Sequence, residues 1–99
     1  MRFFVRMEVF ESISSKEEVA KLRQAFGKHI EDVLMASGKV EQSGVFADAR
    51  ALFFILNVDS TGELMSLLGG PILDNCRVET HPICSLEELK VLFEKEASS

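Results

Sequence analysis

Three Ser-x-x-Glu segments divide this chain before any other pattern is read: Ser15-Lys16-Glu17-Glu18, Ser60-Thr61-Gly62-Glu63 and Ser85-Leu86-Glu87-Glu88. In each, the serine hydroxyl is placed to accept the backbone N–H three residues on, and the glutamate falls in the first turn, where the helix dipole favours negative charge. Three helix starts are thereby set, and any strands must lie in the stretches between them. After the first start, Val19, Leu22, Phe26, Ile30, Val33 and Leu34 recur at three and four until Gly38 supplies a stop, which predicts a helix over 16–37. Gly27 in its middle costs about 1 kcal/mol relative to alanine and is tolerable. The second start leads into Leu64, Leu67 and Leu68 and is expected to close at Gly69-Gly70-Pro71. The third carries Leu86, Leu89, Leu92 and Phe93.

The intervening stretches read as strands. Phe3, Val5, Met7 and Val9 alternate with Arg2, Phe4, Arg6 and Glu8, the period of a strand with one face in a core. Val40 to Phe46 and Arg50 to Val58 are β-prone runs separated by Ala47-Asp48-Ala49, the spacing of a hairpin. Asn75 to His81 alternates again, with Cys76, Val78 and Thr80 against Arg77, Glu79 and His81, and Pro82 is expected to end it.

The order is βαββαβ plus a terminal helix, in one domain over 1–96 with a short tail at 97–99. Two βαβ halves crossing right-handedly give a ferredoxin-like α+β fold: a four-stranded antiparallel sheet, strands one and three central, helices on one face. The other face is then bare. Phe4, Leu52, Phe54 and Leu56 are expected on it, too apolar a set to leave in water, so a homodimer or larger homo-oligomer through the sheet face is the simplest cover.

Charge and composition exclude several classes. A net charge of -5 opposes binding to phosphate backbones, so nucleic acid is not an expected partner. The longest apolar run, Ala51 to Leu56, is far short of the ~20 residues that span a bilayer, so no membrane partner is expected. Arg6 and Glu8 interrupt the N-terminal apolar stretch, which reads as a strand and not as a signal-peptide core; a cytoplasmic protein is the expectation. Cys76 and Cys84 have neither CxxC spacing nor a paired histidine, which predicts reduced structural thiols and no metal. No Gly-rich loop follows a strand to cradle phosphate, and no cofactor is expected.

Met1 to Val9, Gly38-Lys39, Val58-Asp59-Ser60, Glu63-Leu64, Leu67-Leu68, Gly70-Pro71, Glu79 and Pro82 together resemble the muconolactone isomerase family across nearly the whole domain. The resemblance implies a dimeric α/β barrel and a cofactor-independent isomerase that shifts a double bond in a lactone. Much of it is strand, cap and turn chemistry, which speaks for fold more than for activity. Gln42, Gly44, Val45, Arg50, Leu52 and Phe54 stand where the family has aromatic and basic residues, and Met65 stands where it has a histidine, so the pocket is greasier.

Arg6 and Glu8 share one face of the first strand, and Arg77, Glu79 and His81 share one face of the fourth, its expected neighbour. A carboxylate base beside a guanidinium that holds an anionic substrate or a developing enolate is what a cofactor-free proton shift needs. Glu8 and Glu79 are accordingly the candidate bases and Arg6 the catalytic anchor; Phe4, Leu52, Phe54, Arg77 and His81 are the candidate substrate contacts. Histidine ordinarily titrates near ~6.5, so His81 is of a type that fits acid or base work. The competing reading is cross-strand ion pairing that solubilises a sheet face. The functional expectation is a small-molecule isomerase acting by proton transfer on a lactone or enolisable acid. Its alternative is a non-catalytic oligomeric binder of an apolar metabolite in the same barrel, and a monooxygenase stands third on fold analogy alone; the expected partner besides a second copy is a small apolar or anionic molecule.

Overall fold

All three serine caps form. The Ser15, Ser60 and Ser85 hydroxyls accept from the backbone N–H groups of Glu18, Glu63 and Glu88 at 3.1, 3.1 and 3.0 Å. The computed structural model describes residues 1–97, in the order β1 (Arg2–Val9), α1 (Lys16–His29), β2 (Val40–Val45), β3 (Ala51–Asn57), α2 (Thr61–Leu73), β4 (Cys76–Ile83) and α3 (Leu86–Ala97). Residues 98 and 99 of the expected tail lie outside the described residues, and Ala97 is the last residue of α3.

The helical path from Lys16 continues beyond α1 through a widened π turn at Ile30–Leu34 and a tight 3-10 turn at Met35–Ser37. It ends at Gly38, whose φ of 72° is the left-handed stop the sequence predicts. Ser37 closes this end twice, donating to the Leu34 carbonyl at 2.6 Å and accepting from the Lys39 N–H at 3.1 Å.

The second helix does not close at Gly69-Gly70-Pro71 as expected; it breaks there and resumes. Gly69 adopts φ 66° and ψ 174°, and the helical path carries on through Pro71 to Leu73. In an unbroken helix the Leu67 carbonyl would accept the N–H of residue 71, and proline has none. His29 supplies the missing donor from α1, its Nε2 lying 2.8 Å from the Leu67 oxygen. A carbonyl only accepts, so Nε2 carries the proton. The close approach also explains the glycine: a β-carbon at position 69 would sit 2.7 Å from His29 Cε1.

The sheet is fully antiparallel in the order β2-β3-β1-β4, which is compatible with a ferredoxin-like arrangement and places β1 and β3 in the centre. Pro82 does not end β4, which continues to Ile83 opposite Arg2. Because β4 is an edge strand, a residue without an N–H is accommodated there. No helix among the described residues is long and apolar enough to cross a membrane.

Directly opposed residues of antiparallel strands share a face, and β1 sets the parity for the sheet. Phe3, Val5 and Met7 are buried beneath α1 and α2, packed in one cluster with Phe26, Leu34, Leu64, Leu68 and Ile72. Their partners on β3 are Leu56, Phe54 and Leu52. These three therefore face the helices, which corrects the expectation that they line the bare side. Phe54 is 3% exposed and Leu56 fully buried. The bare side carries Phe4, Phe53 and Ile55 instead, because Phe4 opposes Ile55 and Arg6 opposes Phe53.

The third helix departs furthest from the body. Leu86, Val91, Leu92 and Phe93 are exposed and no residue of α3 is buried. Arg2 ties its first turn to the sheet, reaching Glu88 at 3.3 Å and Glu41 of β2 at 3.1 Å. The molecule is correspondingly long, 60 × 27 × 18 Å.

Candidate functional site

The uncovered sheet face gathers six of the eight residues singled out from the sequence. Arg6 and Glu8 on β1 lie opposite Glu79 and Arg77 on β4, and Phe4 lies opposite His81. The four central charges alternate in sign both along and across the strands, the favourable pattern for cross-strand pairs. Leu52 and Phe54 are not part of this face; their backbone positions point them into the helix layer, so neither contacts a ligand held here.

Arg6 is the hub. One guanidinium nitrogen lies 2.9 Å from Glu8, and the guanidinium carbon sits 4.9 Å from the centre of the Phe46 ring. Phe46 meets Phe53 edge-on at 5.8 Å, and Phe53 stacks on Phe4 at 5.6 Å, so one cation rests at the end of a three-ring aromatic row. Phe53 fits because its partner across the ladder is Gly44, where a β-carbon would collide with the ring. Phe53 and Phe46 escaped the sequence reading. Ala51 to Leu56 is apolar at every position and hides its parity, but Asn57, the one polar residue of β3, shares a face with Phe53 and Ile55. Arg50, just before the strand, implies the opposite parity, so Asn57 alone does not settle it.

The hydrogen bond from Arg6 holds the Glu8 carboxyl below the ordinary glutamate range, against a smaller upward push from burial and with help from the charges of Arg6, Arg77 and Arg50. A lowered pKa makes Glu8 a weaker base than a free glutamate. Since the folded-state value lies below the unfolded one, the stabilisation is present above the unfolded pKa and is lost as pH falls through the folded value. Carbon-detected NMR titration of Glu8 is expected to give a midpoint below that of an unperturbed glutamate, rising towards it in Arg6→Gln. An unchanged midpoint in that variant would shift the cause to Arg77 and Arg50.

Glu79 stands differently. Its nearest ionisable contact is His81, at 3.7 Å, and both side chains are about half exposed. Arg77 makes no ion pair within 4 Å among the described residues and borders a shallow cavity of about 290 Å³ with Glu8, Val9, Phe10, Glu11 and Ser12.

Both cysteines are free. Cys76 is buried, and burial pushes its thiol up to about 11, leaving it protonated and unreactive at neutral pH. Cys84 is free and exposed. Among the described residues no three His, Cys, Asp or Glu side chains converge as a metal site would require. Comparison with protein-family models and with curated proteins finds no match to this chain.

Proposed function

We propose that the chain is a muconolactone isomerase-like small-molecule protein in which two copies close their open sheet faces into one barrel and hold a flat, anionic molecule between them. The observation that supports this reading is Arg6: a cation packed on Phe46 at the end of the row Phe46, Phe53 and Phe4, on a sheet face that no element of the same chain covers. Stacked rings offer a planar apolar ligand a matching surface, and guanidinium groups bind carboxylates through paired N–H donors. Arg6 gives one nitrogen to Glu8 and keeps other donors; Arg77, outside any ion pair among the described residues, is the second anchor. A second copy laid over the face would exclude water and strengthen both contacts.

Glu79 beside His81 supports a second reading, proton transfer. In that chemistry Glu79 takes the proton from the carbon next to a carbonyl and returns it elsewhere, while Arg6 and Arg77 stabilise the enolate. Glu8, held low by Arg6, is the weaker choice.

Titration with benzoate and cinnamate, followed by NMR shifts on β1 and β4, tests the binding. Arg6→Gln and Arg77→Gln are each expected to weaken it about tenfold, corresponding to ~1.4 kcal/mol. Binding that is unaffected by either substitution rules the site out. Turnover of an enol-lactone by the wild type that disappears in Glu79→Gln would establish the isomerase reading over simple capture.

A further inference from the structure

The aromatic row on the uncovered face depends on a residue that contributes no side chain to it. Glycine in a strand interior weakens the strand and often marks a place where another group comes close. Gly44 has that position on β2, directly opposite Phe53. A β-carbon there would lie 2.6 Å from Cζ of the Phe53 ring and nearer still to Cε1. The tip of the ring therefore reaches across the ladder and rests on the neighbouring strand, whereas a ring standing upright would carry its tip away from the sheet. Among the described residues only Gly38 and Gly69 have a positive φ, so the backbone at position 44 would accept any side chain. The ring alone excludes one.

The register that brings the two residues together is not the one in which β2 begins. Val40 pairs with Leu56, and a ladder continued evenly from there would set Ser43 against Phe53. An extra residue at Glu41 advances the strand by one, so that Gln42 meets Ile55 and Gly44 meets Phe53. A bulge of this kind re-aims the side chains beyond it. Glu41 is itself held across the sheet by Arg2 of β1, at 3.1 Å.

What rests on the ring follows from its posture. Lying over β2, Phe53 has its plane within 20° of that of Phe4 and presents its edge contact to Phe46, the ring that carries Arg6. A methyl group beneath Phe53 would lift or turn it, and both contacts would go with it. Arg6 would then lose the apolar seat that fixes the direction of its free donors.

We infer that Gly44 determines the specificity of this face: by letting Phe53 lie over β2 it keeps Phe53 and Phe4 nearly parallel and seats Arg6 on Phe46, so that planar carboxylates are taken in preference to puckered ones of the same size. The inference rests on the ligand class proposed above. Gly44 touches no ligand in this scheme and is a positioning residue, acting through Phe53.

Gly44→Ala is read in two ways. Without ligand, the Arg6 Nε–H resonance, displaced by the ring current of Phe46 in the wild type, is expected to move to its value in Phe46→Leu. With ligand, the wild type is expected to favour benzoate over cyclohexanecarboxylate by about tenfold, and Gly44→Ala to bring that ratio to about one. Phe53→Ala should lose the preference as well, and since it leaves nothing for the methyl to meet, adding Gly44→Ala to it should change neither readout further. A Gly44→Ala protein that keeps both the Arg6 signal and the preference overturns the inference. So does a Phe53→Ala protein that keeps the preference, whether or not Gly44→Ala folds, and so does a further change in the double variant, which would place the effect in the backbone of β2. If neither acid binds the wild type while the Arg6 signal still moves in Gly44→Ala, the ligand class fails and the positioning of Arg6 by Gly44 stands.

Discussion

Phe54→Asp is expected to leave the chain unfolded. Phe54 is 3% exposed, opposes Val5 in the ladder and lies in the cluster shared by both central strands and the two packed helices. Truncating a buried phenylalanine alone costs about 3–5 kcal/mol. A carboxylate in its place, with no charged group in that cluster to receive it, adds several more or forces protonation. A domain of this size is held by about 5–15 kcal/mol in total, so the two costs together consume it. Far-UV circular dichroism should show loss of the native spectrum and of any cooperative melt. A variant that melts cooperatively within a few degrees of the parent would contradict the placement of Phe54 beneath the helices.

One position further along the strand the same substitution should act on assembly. Ile55 opposes Phe4 on the uncovered face and is only partly buried in the single chain, so Ile55→Asp leaves the core intact. In an isologous dimer, however, each copy brings its own new carboxylate to the shared face. A loss of about 4 kcal/mol raises the dissociation constant roughly a thousandfold. Sedimentation at micromolar concentration should then give the monomer mass of 11.1 kDa with the native circular dichroism spectrum retained. An unchanged dimer would remove the sheet face from the interface. The pair of neighbouring variants, one unfolding and one dissociating, reads the strand parity directly in solution.

That parity marks the limit of what the sequence discloses. The serine caps, the alternation in β1 and β4 and the left-handed stop at Gly38 are local chemistry, decided within a few residues, and each appears where its pattern predicts. The faces of β1 and β4 follow for the same reason: Arg6, Glu8, Arg77, Glu79 and His81 come together because polar residues alternate with buried ones. In β3 the alternation is absent, since a central strand here is apolar on both faces, and Arg50 at one end and Asn57 at the other imply opposite parities. Only pairing with Val5 and Phe3 decides between them. His29 shows the same limit. As a residue beside an apolar stripe it has no evident partner, and its role emerges only when Pro71, forty-two positions later, leaves a carbonyl without a donor.

That last arrangement joins codons 29, 69 and 71 into one unit of inheritance. A lineage that lost His29 while keeping Pro71 would strand the Leu67 oxygen, and one that gained a side chain at position 69 would drive it into the imidazole. Replacing the proline restores an N–H at 71, which can take over from the histidine only if the kink at Gly69 closes as well, so the order in which these changes arise decides which are survivable. Drift at the contact between the first two helices therefore has a preferred direction, set by one ring that lacks a hydrogen.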